Sequence, residues 1–118
     1  MPRVKPGKTT RAWHKKWRKM ASGAYGARSK KISAIMSTVQ HAGNYAFRDR
    51  KNKKRDFRRL WIQRINAGTR GHGLSYSVFI NGLRKANVSL DRKSLSELAI
   101  HDPAAFDLMV ETARSARV

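Results

Sequence analysis

Between Ser29 and Arg70 the chain contains no proline, and apolar residues recur at helical intervals: Ile32, Ile35, Met36, Val39, Tyr45, Phe47, Phe57, Leu60, Trp61 and Ile65. The pattern predicts one long helix, with Gly43 as the point at which it can bend. Forty residues of α-helix measure roughly 60 Å at about 1.5 Å per residue. A compact globule of 118 residues has a radius of gyration of only about 13 to 14 Å, hence a diameter of about 35 Å. The helix must therefore leave any core the chain can build, and its projecting part meets solvent or a partner on every side.

Within that helix the stretch FRDRKNKKRDFRRLW, residues 47–61, holds eight Lys or Arg and two Asp. Side chains three and four apart on a helix are neighbours. Like charges meet at Arg50/Lys54, Lys51/Arg55, Lys54/Arg58, Arg55/Arg59, Arg48/Lys51, Arg50/Lys53, Lys51/Lys54 and Arg55/Arg58. Only Asp49/Lys53, Lys53/Asp56 and Asp56/Arg59 offset them. At about 0.2 to 0.5 kcal/mol per pair, the excess repulsion disfavours the free helix by about 1 to 2.5 kcal/mol. Charge runs are commonly solvated faces or disordered tails. Phe47, Phe57 and Trp61 argue against disorder here, because disordered basic tails are depleted in large aromatics. A helix that orders against phosphates reconciles the two facts. Its binding then weakens steeply as salt rises, since released counterions drive it.

The imbalance extends over half the chain. Residues 1–60 carry 19 Lys or Arg against two Asp, residues 61–118 eight against five acids, and the whole chain is at +20. Such a charge predicts a polyanionic partner. No apolar run is long enough to span a bilayer, and the N-terminal residues lack the apolar stretch of a signal peptide, so an internal, soluble location is expected. With no cysteine, disulfides and thiolate metal sites are excluded.

The opening segment to Lys8, with Pro2, Pro6 and Gly7 among basic residues, reads as an extended tail. Thr9 or Thr10 is placed to cap a helix running to about Ala21, with Trp13, Trp17 and Met20 on one face. Two readings of that stripe stand: packing within the chain, or stacking on bases, favoured by neighbouring Lys15, Lys16, Arg18 and Lys19. SGAYGARSKK follows, and its glycines predict a hinge. Gly23 to Gly26 formally match the GXXG loop of an RNA-binding module, but the sheet that module requires is not visible. Tyr25, Arg28, Lys30 and Lys31 are placed to meet phosphates at that hinge.

The second half can fold by itself. Gly71 and Gly73 end the long helix, and Ser75 is placed to cap a helix burying Phe79, Ile80 and Leu83. Asp91 caps the next, with Leu95, Leu98 and Ala99 inward; Asp102-Pro103 starts the last, with Phe106, Met109, Val110 and Ala113 inward. Lys85, Arg92 and Lys93, near helix ends, form a modest basic patch or serve solubility and helix-dipole complementarity. The fold expected is all-α: a long basic N-terminal helical extension, residues 1–59, plus a small C-terminal orthogonal helix bundle, residues 60–118.

GAYGARSKK, YAFRDRKNKKRDFRRLWIQRINA, GLSYSVFINGLRKA and LDRKSLSELA, in this order and spacing, closely resemble the bacterial large-subunit ribosomal protein L twenty family. The resemblance covers nearly the whole chain. It implies a cytoplasmic ribosomal protein that binds large-subunit ribosomal RNA directly, acts early in subunit assembly, adjoins neighbouring ribosomal proteins and has no catalytic role. It also implies RNA contact by Arg3, Lys5, His14, Lys15, Lys16, Tyr25, Gly26, Arg28 and Ser29 in the first part of the chain. On the long helix it implicates Tyr45, Arg48, Arg50, Lys51, Lys53, Lys54, Arg55, Arg58, Arg59 and Arg64, and beyond it Ser75, Tyr76, Lys85, Arg92 and Lys93. No cofactor, metal, membrane or small-molecule substrate is expected.

Other classes fare worse on the residues. His14 and His41 have no carboxylate at helical spacing, and Glu97 with His101 reads as a surface pair, since two ligands do not make a metal site. No GxxxxGK[ST] phosphate cradle is present. A DNA-packing protein also suits a basic half joined to a helical half. A basic amphipathic membrane binder is disfavoured, because the cations from Arg48 to Arg59 surround the helix and leave no apolar face.

Overall fold

The computed structural model describes residues 3–116, and within them every regular element is a helix. In chain order these are α1 (Gly7–Met20), α2 (Ala27–Lys30), α3 (Ile32–Gly71), α4 (Tyr76–Lys85), α5 (Arg92–His101) and α6 (Pro103–Ser115). The all-α expectation holds. No helix of the described residues is long and apolar enough to cross a membrane. The chain divides into two compact units, Met1–Lys51 and Asn52–Val118, with α3 contributing to both.

In the first unit the expected helix starts are displaced. α1 begins at Gly7, not after Thr9 or Thr10: Pro6 occupies the cap position with φ −74°, the angle its ring imposes, and its carbonyl accepts from Thr10 N at 3.0 Å. Residues 3–5 remain without regular structure, while Pro2 of the expected tail lies outside the described residues. The long helix starts at Ile32 instead of Ser29. Lys31 is extended at φ −84°, ψ 120°, and separates off the one-turn α2. From Ile32 the helix continues unbroken through Gly43. Between α1 and α2 the expected hinge is a turn with Gly23 at φ +86° and Gly26 at φ +63°, backbone that side chains other than glycine rarely adopt. Among the described residues of this unit only Ala21 and Ile35 are buried; α1 buries nothing.

The second unit holds the core. Ile65 of α3, Leu74 of the turn that follows it, Phe79 and Leu83 of α4, Leu95 of α5, and Phe106, Val110 and Ala113 of α6 form one buried cluster. Each large side chain in it contributes about 1.5 to 3 kcal/mol relative to exposure. The Phe79 and Phe106 rings lie 5.6 Å apart and are tilted. α6 is the centre, receiving both α4 and α5. At the α4/α6 contact Gly82 is buried against the Ala113 backbone.

The helix ends are fixed by hydrogen bonds. At the end of α3, Leu74 N donates to Thr69 O and Gly73 N to Arg70 O, both at 3.0 Å, with Gly73 at φ +74°. This is a Schellman turn, and Leu74 is the apolar residue that seals it. α4 ends the same way with Asn87, at φ 53°, in the glycine position: Val88 N donates to Leu83 O at 3.0 Å and Asn87 N to Arg84 O at 3.2 Å. Asp91 and Asp102 cap α5 and α6 as expected, accepting from Ser94 N at 2.7 Å and Ala105 N at 3.0 Å. Ser75 stands at the start of α4 but makes no side-chain cap bond. Asn66 Oδ1 of α3 accepts from Tyr76 N at 3.3 Å and takes over that part.

Candidate nucleic-acid interface

None of the residues singled out from the sequence for RNA contact is buried. Arg3 and Lys5 lie exposed ahead of α1, which carries Lys15 and Lys16 exposed and His14 half-buried. Tyr25 and Gly26 are in the turn, with Tyr25 96% exposed, and Arg28 and Ser29 are on α2. Ser29 Oγ donates to Gly26 O at 3.0 Å. Trp13 and Trp17 meet edge-on, 5.9 Å between centroids, and with Trp13 42% exposed the stripe is no core.

On α3, Arg48, Arg50, Lys51, Lys53, Lys54, Arg55, Arg58 and Arg59 are all exposed. Tyr45, Phe47 and Phe57 are exposed among them at 53%, 58% and 45%, so these aromatics are uncovered side chains and not a packed face. Arg48 lies over the Tyr45 ring at 5.0 Å and Lys51 over Phe47 at 4.7 Å, cation–π contacts that hold aromatic and cation side by side. Of the three expected attractive pairs one forms, Asp56 with Arg59 at 3.6 Å. Asp49 takes Arg48 Nε at 2.8 Å instead of Lys53, because the adjacent guanidinium reaches it directly. That hydrogen bond, with the carboxylate's charge, raises the Arg48 pKa further above its ordinary value. Both pairs are exposed, where ion pairs contribute little. The repulsion counted from the sequence is therefore left largely uncompensated by the chain's own acids.

The second unit gathers part of this set into a groove of about 410 Å³. Lys54, Arg55, Arg58 and Trp61 of α3 line it together with Asp91, Arg92 and Lys93 at the start of α5. Lys54, Arg58 and Trp61 are four and three residues apart and so share one helix face. Arg92 is half-buried and its Nε donates to Tyr76 Oη at 2.8 Å, which restrains the guanidinium. Arg92 and Lys93 sit in the first turn of α5, the positive end of the helix. Dipole complementarity, one of their expected roles, is thereby ruled out; it fits Lys85, in the last turn of α4. Two cations at the wrong helix end, facing three more from α3, concentrate positive potential on this groove. Among the described residues Asp91 is the one acid on its wall. Its carboxylate is held below the ordinary aspartate pKa, first by the Ser94 side chain, then by the Ser94 N–H.

A second groove, about 530 Å³, lies in the first unit along α3, lined by Arg28, Ala34, Ser37, Thr38, His41, Ala42 and Tyr45. It brings Arg28 and Tyr45 together. Arg64, Ser75 and Lys85 line neither groove. Trp61, Asp91, His41 and the small residues of α3 were not singled out as contacts. Trp61 had a readable signal in its spacing from Lys54 and Arg58, whereas Asp91 reaches the groove only through the packing of α5.

His101 pairs with Glu97 at 3.3 Å on the surface as expected, and the described residues gather no cluster of three metal-ligating side chains. The arrangement defines a class of protein: a strongly basic all-α chain whose cations and uncovered aromatics line open grooves.

Residues 3–109 match the family described as Ribosomal protein L20. The "Large ribosomal subunit protein bL20" of Aeromonas hydrophila subsp. hydrophila is 57% identical to this chain over 118 residues, covering 100% of both. That of Aeromonas salmonicida is 57% identical over the same span, and that of Methylorubrum populi is 58% identical over 116 residues, 98% of this chain and 96% of its own. The chain belongs to the ribosomal protein L20 family, which is structural and not enzymatic.

Proposed function

We propose that this protein is a structural constituent of the large ribosomal subunit, in the cytoplasm, that binds large-subunit ribosomal RNA directly and is needed early in subunit assembly. In this reading residues 1–59 are the extension that threads into RNA and residues 60–118 the globular RNA-binding domain, with neighbouring ribosomal proteins adjoining. The observation that carries it is the exposed run from Arg48 to Arg59: eight cations around one helix, of which only Arg48 and Arg59 are ion-paired among the described residues. Phosphates supply the missing countercharge. Arg suits that role, because its guanidinium bridges phosphate oxygens in two places and stacks. Irregular RNA is favoured over duplex DNA by the exposed Tyr25, Tyr45 and Phe47, which have unstacked bases to meet in folded RNA and few in a regular duplex.

The test is binding of the full chain to a large-subunit RNA transcript across a salt titration, with duplex DNA as competitor. We expect log affinity to fall steeply with log salt, by about 0.7 to 0.9 for each phosphate neutralised. Charge reversal at Arg50, Lys54 and Arg58 should flatten that slope. The reading fails if duplex DNA displaces the RNA at equal concentration. The assembly role is checked by depletion, which should accumulate large-subunit precursors.

A further inference from the structure

The groove between α3 and the start of α5 has a composition that a phosphate-binding cleft does not need. Phosphates require cations and backbone N–H groups, and Lys54, Arg58, Arg92 and Lys93 satisfy that. Trp61, half-buried beside Phe57, adds an aromatic side chain on the same helix face as Lys54 and Arg58, and Asp91 adds a carboxylate whose pKa Ser94 lowers. An ionised acid repels phosphates, so a cleft meant only for the backbone is weakened by it. The same acid accepts from the N–H groups that every nucleobase carries on its edge. An indole beside cations is the combination on which unstacked bases rest. The groove's volume, about 410 Å³, falls in the range of small-ligand sites.

From this we infer that the groove captures one unstacked nucleotide, its base against Trp61 and facing Asp91, its phosphates held by Lys54, Arg58, Arg92 and Lys93. The inference rests on the RNA-binding reading and deepens it: the second unit recognises an extruded nucleotide and not merely a negatively charged surface. The Arg92–Tyr76 hydrogen bond, 2.8 Å, pre-positions one of the phosphate clamps and so lowers the ordering cost of binding.

The experiment compares binding of the full chain to a fully paired RNA hairpin and to the same hairpin carrying one bulged adenosine, at fixed salt. The intact protein should prefer the bulged hairpin by about five- to a hundredfold, the range of one base stacked on an aromatic side chain. Trp61→Leu should bring that ratio close to one, and Trp61→Phe should keep an intermediate ratio. Circular dichroism reports whether either variant has lost its helices. Asp91→Asn keeps a competent helix cap and is the second arm. It should raise binding of the paired hairpin more than that of the bulged one, by admitting phosphates to the groove. Equal binding of both hairpins by the intact protein, or equal loss on both in folded Trp61→Leu, overturns the nucleotide site and leaves the general reading standing. Failure of the intact protein to bind either RNA overturns both.

Discussion

Gly82 of α4 faces Ala113 of α6 so closely that a methyl group added at Gly82 would stand 2.9 Å from the Ala113 Cα and overlap its carbonyl. The obstacle is backbone, which cannot rotate aside, and the two helices approach this closely only because one lacks a side chain.

Gly82→Ala is accordingly expected to destabilise the second unit by about 1 to 3 kcal/mol, the cost of overpacking, even though alanine is the better helix former by about 1 kcal/mol. Gly43→Ala is the control. Gly43 lies inside α3 with nothing within 4 Å of an added Cβ, so the propensity term acts alone and helicity should rise, worth about 0.5 to 1 kcal/mol. Thermal unfolding of the two variants should shift in opposite directions.

Asn87 holds the left-handed position that closes α4. Asn87→Gly should leave stability unchanged or slightly higher, since both residues tolerate this backbone and glycine tolerates it best. Asn87→Val should cost about 1 to 2 kcal/mol, because a β-branched side chain collides with its own carbonyl there. Urea titration of both variants distinguishes this from a side-chain role for Asn87, which would make the two losses equal.

The depressed Asp91 pKa ties the start of α5 to pH. A carboxyl whose folded pKa lies below its unfolded value adds stability that is complete above the ordinary aspartate range and is lost as pH falls through the depressed folded value. The Ser94 amide resonance should therefore titrate with a midpoint below that of a free aspartate. A midpoint at the ordinary value would mean that the cap does not form in solution.

Ser96 of α5 is fully buried, and its hydroxyl has no hydrogen-bond partner among the described residues. Burying an unpaired hydroxyl costs about 1 to 3 kcal/mol. Ser96→Ala should raise the unfolding midpoint, and Ser96→Val, which adds volume beside Leu95, should gain less or lose.

Elements governed by local chemistry were legible in the sequence. Asp91 and Asp102 announced their helices because an N-cap acts on an N–H three residues away, and the apolar spacing of α4 and α6 delivered Phe79, Leu83, Phe106 and Val110 to the core. Starts without a side-chain signature were misplaced: α1 opens on Pro6 without a cap bond, and the break at Lys31 rests on one residue's backbone angles. Long-range satisfaction was invisible. The Asn66 bond to Tyr76, the Arg114 bond to His72 O at 2.8 Å and the His72–Asp107 pair at 2.9 Å join residues far apart in sequence. The sequence displays the cations of the candidate interface only as separate positions along the chain. That Lys54 and Arg58 share a groove with Arg92 and Lys93 follows only from how α3 and α5 pack.

The unbroken course of α3 from Lys54 to Ile65 has an evolutionary corollary. Each residue advances a helix by about 100°, so a one-codon insertion between Arg58 and Ile65 would swing Lys54 and Arg58 away from Arg92 and Lys93 while Ile65 stayed seated in the core. Such a segment can drift by exchange of residues but not by gain or loss of them, and relatives should keep an invariant count of positions there even where the residues themselves differ.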